Sequence, residues 1–183
     1  MINETDEKLT ESIPEKLKIR KALKSDIQQI CRIYEQAKQF MKSEGNTSQW
    51  SANYPGEETV RRDIEAKRLF VCVSQASVIL AVFCCFCGIE PSYDVICNGH
   101  WLNDMEYAVI HRFAVSSDVL RQGVASFCLQ YCFERFGNIR IDTHPDNFPM
   151  RGLLEKNNFV RCGIIHISDE ADGLRIAYQK TRV

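Results

Sequence analysis

Apolar residues recur at three- and four-residue spacing from Ile27 to Met41 (Ile27, Ile30, Cys31, Tyr34, Ala37, Met41), which predicts an amphipathic helix with a Lys-, Gln- and Glu-rich outer face that Gly45-Asn46 terminates. Ser25 with Gln28 three residues later resembles a capping box at its start. Upstream, Leu17 to Leu23 reads as a short strand, and the polar, acidic residues 1–16 as a flexible tail. Downstream the period shortens. Leu69 to Val73 and Val78 to Cys87 are rich in strand formers and join across Ser74 to Ser77 as a hairpin, so the sheet begins antiparallel, with a short helix, Glu57 to Lys67, ahead of it. A strand over Glu106 to Val115 follows, then a helix face (Val124, Phe127, Cys128, Tyr131, Cys132, Phe136), a strand over Asn138 to Thr143 and a helix over Asn147 to Lys156. Phe159 to Ile167 and Leu174 to Gln179 close the chain as strands around the turn-rich Asp169 to Gly173. Two connections stand apart: Thr47 to Gly56 carries the large aromatics Trp50 and Tyr54, and Gly88 to Asp104 is long enough to frame a site.

With 183 residues and 45% hydrophobic content, the chain suits one globular domain, residues 17–183, that buries roughly 70% of its unfolded surface. Its 23 basic against 24 acidic residues leave a net charge of −1, which excludes nucleic-acid binding by bulk charge. No apolar run approaches the ~20 residues that span a bilayer and the N-terminus lacks a signal-peptide core, so a cytoplasmic protein without a membrane partner is expected. Nine cysteines are an odd number and read as free, mostly buried thiols. Cys84 and Cys87 form a C-x-x-C, but on a strand they point to opposite faces and no second pair completes a zinc site, so no metal is expected. Cys128 and Cys132 share a helix face as small apolar residues.

Chemistry is written most densely where Ile110 to Val115 turns through Ser116 to Gln122 into the helix that begins near Gly123. A helix start offers unpaired N–H groups and a positive dipole end, Gly123 and Ala125 permit close approach to the backbone, and Arg121 adds charge. An anion site and an ordinary helix start are both compatible with this segment alone.

From Leu17 to Lys180 the chain resembles the GCN5-related N-acetyltransferase (GNAT) superfamily. The family's pyrophosphate loop, Arg/Gln-x-x-Gly-x-Gly/Ala after a strand ending in Val, corresponds to Val115 and Leu120-Arg121-Gln122-Gly123-Val124-Ala125, with Leu120 in place of the usual Arg or Gln. Its second signature, an Asn opening the next helix and a Gly-Phe closing it, corresponds to Asn147 and Asn158-Phe159. Gly45-Asn46-x-x-Gln49-Trp50-x-x-x-Tyr54-Pro55, Ile110-His111-Arg112, Ile139 to His144 with Asp146-Asn147, and Cys162 to Ile165 resemble a bacterial subgroup of predicted acetyltransferases. The resemblance implies an α/β (α+β) fold: a mixed, mostly antiparallel sheet of six to seven strands, flanked by about four helices and splayed at an acetyl-CoA site.

The same resemblance implies acetyl-CoA as cosubstrate. It would be held by the backbone of Phe113, Ala114 and Val115, by the loop Arg121, Gln122, Gly123, Val124, Ala125 and Ser126, and by Asn147. The acetyl group would pass directly to a primary amine, of a small molecule in the first instance, with Trp50 and Tyr54 enclosing the acceptor. Glu106, His111 and His144 are the candidates for proton transfer. The spacing of Glu106 and His111 is odd, so a regular strand separates them and a bulge would bring them together. Structural roles stand beside each: a hydrogen-bonded core histidine for His111, a helix cap for His144, a solvated strand end for Glu106. The Tyr that in many relatives protonates the departing thiolate corresponds to Leu154. That departure motivates an alternative, a non-catalytic acyl-CoA sensor; acetylation of a protein amine is another, and a homodimer is left open.

Overall fold

A computed structural model describes residues 17–167 and 173–182, so the tail 1–16 and most of the turn after Ile167 lie outside the described residues. The described chain folds as β1 (Lys18–Lys21), α1 (Ile27–Ser43), α2 (Glu57–Glu65), β2 (Leu69–Val73), β3 (Ile79–Cys87), β4 (Ala108–Val115), α3 (Val124–Phe136), β5 (Asn138–Thr143), α4 (Phe148–Lys156), β6 (Val160–His166) and β7 (Leu174–Thr181). The seven strands form one sheet in the order β1-β2-β3-β4-β5-β7-β6. Every neighbouring pair is antiparallel except β4 and β5, which run parallel through the α3 crossover. The expected α/β architecture, strand number and helix number are all present.

Sheet alternation builds two cores. Along β2, Phe70 and Cys72 enter the cluster under α3, whereas Leu69, Val71 and Val73 enter the cluster under α1 and α2. Both faces of β2 and most of β3 are therefore buried, which explains their continuous apolar runs. The period of α1 closes the second core with Ile27, Ile30, Ile33 and Tyr34. The start of α1 differs from the capping-box expectation. Lys24–Asp26 form a short 3-10 turn, and the Asp26 carboxylate, not Ser25, accepts from the Leu23 N–H at 2.7 Å while Arg20 donates to it at 2.6 and 3.0 Å. A partly buried guanidinium partner outweighs a solvated serine hydroxyl here. The expected strand Leu17 to Leu23 is correspondingly trimmed to its centre, and β4 begins at Ala108, two residues after Glu106.

The excursion between β3 and β4 is tied down along its length. Cys97 and Ile164 exchange backbone hydrogen bonds at 2.8 Å, the Leu102 N–H donates to Gln179 Oε1 at 2.8 Å, and the Trp101 indole donates to the Tyr93 carbonyl at 3.0 Å. Arg140 lies over the rings of Trp101 and Tyr107, 4.2 and 4.0 Å from their centroids. Gly99 and Gly163 let two backbones touch: a Cβ at Gly99 would stand 1.9 Å from the Cys162 carbonyl oxygen, and one at Gly163 2.7 Å from that of Cys97. Both overlaps are with backbone, which cannot rotate aside. Gly99→Ala and Gly163→Ala are each expected to lower stability by about 2 kcal/mol or more, read as a reduced urea midpoint with an unchanged slope; an unchanged midpoint would show that the excursion is not docked this way.

Candidate active site

β4 and β5 pair only through Ala108–Ile139, Val109–Arg140 and Ile110–Ile141; beyond Ile110 no strand pairs with β4 on that side among the described residues. On its other side the register against β3 slips: Cys84 faces His111 while Val82 faces Ala114, which places one extra residue in β4. Arg112 takes it up with φ 50°, a left-handed conformation. The Tyr34 hydroxyl, buried under α1, donates to the Arg112 carbonyl at 3.2 Å and holds the bulge. Consequently His111, Arg112 and Phe113, which a regular strand would send to alternate faces, all line one cavity.

That cavity, about 350 Å³, lies between the parted strands and is walled by Trp50, Tyr54, Arg68, Phe86, Glu90, Ser92, Asp142 and Thr143 beside the three β4 residues. Its chemistry gathers at two places. At the first, His111 Nε2 is 2.9 Å from Glu90 Oε2, and Nδ1 is 3.8 Å from Asp142 Oδ1. Glu90 also accepts from Ser92 at 3.0 Å, and Asp142 from the Tyr93 hydroxyl at 2.7 Å. The hydrogen bond from His111 outweighs burial and holds the Glu90 carboxyl down at about 2. In the neutral tautomer that donates Nε2–H to Glu90, His111 would keep the Nδ1 lone pair as a proton acceptor. At the second place, the fully buried Asp63 of α2 binds Arg112 at 2.8 Å and Arg68 at 2.9 Å, and Arg112 also donates to the Tyr54 hydroxyl at 3.2 Å.

A second cavity, about 710 Å³, opens on the other side and is lined by Ala114, Val115, Val119 to Arg121, Gly123 to Ser126 and one face of α4. Gly123, φ 80°, caps α3 after Arg121, φ 61°, so the first-turn N–H groups of Val124, Ala125 and Ser126 face a concave, left-handed turn of the kind that binds anions. The cavities share Met41, Phe113, Asn147 and Met150. Asn147 caps α4, accepting from Met150 N–H at 3.2 Å, and donates to Gln49 Oε1 at 2.8 Å; Gln49 accepts at 2.8 Å from the buried Asn46 as well. The aromatic loop is thus fastened to the α4 terminus, and Trp50 packs edge-on against Tyr34 with centroids 5.6 Å apart.

Of the residues singled out in the sequence, His111, Trp50, Tyr54 and Asn147 are brought together at the smaller cavity, and Phe113 to Val115, Arg121 and Gly123 to Ser126 at or beside the larger. Gln122 is exposed and donates to the Asp118 carbonyl at 3.3 Å, lining neither. Glu106 is exposed, and the bulge falls after His111, so it does not bring the pair together. His144 is buried and also lines neither: Nδ1 accepts from the Asp146 N–H at 3.2 Å and Nε2 contacts Ser48 Oγ at 3.3 Å, a turn-holding arrangement. Leu154 lies wholly in the main core. No cysteine lines either cavity among the described residues, all nine thiols are free, and no cluster of metal-ligating side chains occurs among those residues. Glu90, Asp63 and Arg68 carry no site role in the sequence reading, and Asp142 enters it only within the Ile139 to His144 segment of the subgroup resemblance; the local signals were a Glu-Pro in a long loop and charged residues in otherwise ordinary surroundings.

The family model described as the acetyltransferase (GNAT) family matches residues 37–159. The chain belongs to that family. Among solved structures, a GNAT-family acetyltransferase from Streptococcus agalactiae 2603 is 29% identical with a TM-score of 0.83, the alignment covering 92% of this chain and 97% of that one. The ribosomal-protein-S18-alanine N-acetyltransferase of Escherichia coli shares the fold at 14% identity and a TM-score of 0.59, over 92% and 96% of the two chains. The NatC complex bound to Gag peptide and CoA does so at 13% and 0.57, over 91% and 99%. No curated protein sequence matches the chain. The GNAT assignment makes the protein an acetyltransferase, and no helix among the described residues is long and apolar enough to cross a membrane.

Because the folded-state Glu90 carboxyl is depressed from its ordinary 4.5 to about 2, its contribution to stability is complete above about 4.5 and is lost as pH falls toward about 2. Glu90→Gln should remove that component, so urea midpoints of variant and wild type converge on acidification; a constant gap across that window would count against the His111–Glu90 pair.

Proposed function

We infer that the protein transfers an acetyl group from acetyl-CoA directly to a primary amine of a small molecule. What carries this reading is the meeting of two cavities at one wall, Met41, Phe113, Asn147 and Met150, beside the stretch of β4 that has no strand partner on its β5 side. The larger cavity supplies first-turn N–H groups of α3 for a pyrophosphate and the backbone of Phe113 to Val115 for the amide-bearing pantetheine arm. An N–H of that unpaired stretch would polarise the acetyl carbonyl.

The smaller cavity supplies the base. An amine arrives largely as ammonium and must lose a proton before it can attack. His111 Nδ1 and Asp142 Oδ1, 3.8 Å apart, are two acceptors with room for an N–H donor between them. The proton goes to Nδ1, and Glu90, fixed on Nε2, orients the ring and stabilises the imidazolium, the same division of labour as in a Ser-His-Asp triad. The C–N bond forms, the C–S bond breaks, and the nitrogen's second proton leaves with the thiolate. That last transfer asks nothing of Leu154, whose side chain is in the core.

Isothermal titration should show one-site binding of acetyl-CoA that Gly123→Glu abolishes by bulk and charge. Thiol release with amines should fall about 100-fold or more in His111→Gln, with acetyl-CoA affinity unchanged. Saturable binding without turnover on any amine would instead favour the acyl-CoA sensor.

A further inference from the structure

The acceptor cavity is electrically divided. Glu90 and Asp142 flank His111 at one place, and at the other two guanidiniums, Arg68 and Arg112, share a single carboxylate, Asp63, whose side chain is 1% exposed. Two cations on one anion leave a net positive charge in a partly dehydrated wall. Arg68 spends Nε and Nη2 on Asp63 and has no acceptor for Nη1 among the described residues. Between the two places stands Phe86, its ring 5.4 Å from the Arg68 guanidinium and 6.1 Å from the His111 ring. A plain alkylamine would use the carboxylate end alone and leave the positive charge of the guanidinium end without a counter-charge from the ligand.

On the strength of the acetyltransferase reading, we propose that the acceptor is a dipolar amino acid, its ammonium between His111 and Asp142 and its carboxylate on the Arg68–Arg112 wall, one aromatic ring away. The bulge at Arg112 makes this possible, because it turns consecutive residues, one a base and one a cation, into the same cavity. A planar guanidinium binds a carboxylate through two parallel N–H groups, which sets the amine's direction as well as its affinity.

The test uses the full chain with saturating acetyl-CoA and matched acceptors: ω-amino acids of graded chain length, each beside its carboxamide and its decarboxylated amine, with α-amines of the common L-amino acids as controls too short to span the ring, followed by thiol release. At least one amino acid should exceed both its carboxylate-free partners in kcat/KM by about 10- to 100-fold, the span of a charge-assisted hydrogen bond. Arg68→Gln, which leaves Asp63 paired with Arg112, should collapse that preference to within about threefold, and Arg68→Lys should restore part of it. Acetyl-CoA affinity by titration should be the same in all three proteins, which checks folding. Amides or simple amines accepted as well as the acids, or amines acetylated with no amino acid acetylated, would overturn the proposal while leaving the acetyltransferase reading intact. A protein that fails to bind acetyl-CoA would remove that reading, and the proposal with it.

Discussion

A strand with one side of its backbone unpaired is a standing cost, and the geometry around β4 is organised by it. After Ile110 the strand keeps its hydrogen bonds to β3 but loses those to β5, and buried N–H and C=O groups without partners cost a domain of this size a noticeable part of its stability. Tyr34 relieves one carbonyl, at Arg112. The remainder face the space where two cavities meet. A ligand with an amide-bearing arm would complete the sheet as a strand does, so the same separation that opens the site also supplies the means of filling it.

Holding the strands apart requires struts on both sides. On one, Asp63 reaches from α2 to the β4 bulge through Arg112 and to the start of β2 through Arg68, joining three elements with one buried carboxylate. Such a carboxylate is tolerated only because both its oxygens are taken by guanidinium groups; unpaired, its burial would cost several kcal/mol. On the other, Asn46, Gln49 and Asn147 form a chain of side-chain amides from the end of α1 to the cap of α4. The excursion after β3, seated on β6 through two glycines, delivers Glu90 to His111 from a third direction.

The elements were legible because their signals are local. Period 3.6 and period 2 are written in consecutive residues, and the α3 turn announces itself by Gly123 and Ala125 next to a strand end. Asn147 was legible through the family signature, as the Asn that opens the next helix, and its capping bond to the Met150 N–H accounts for that position. The charged network was not, since nothing near Asp63 in sequence distinguishes it from other acidic residues on a helix; only the left-handed Arg112, a consequence of tertiary pairing, brings their side chains together. His111 could be picked out by residue type, whereas its orienting partner Glu90 lies on a loop 21 residues earlier, closed onto it by contacts with β6 and β7. Glu106 illustrates the converse: a plausible residue type, displaced from the site by a strand that starts two residues later than its pattern suggests.

The wall shared by the two cavities consists of only four side chains, and outside it they draw on different parts of the chain. The larger is assembled from α1, the end of β4 and the turn after it, α3 and α4; the smaller from the aromatic loop, Arg68, Phe86 of β3, the excursion, the β4 bulge, β5 and β7. Substitutions among the residues that line only the smaller cavity can therefore reshape it while the residues that line only the larger one stay as they are.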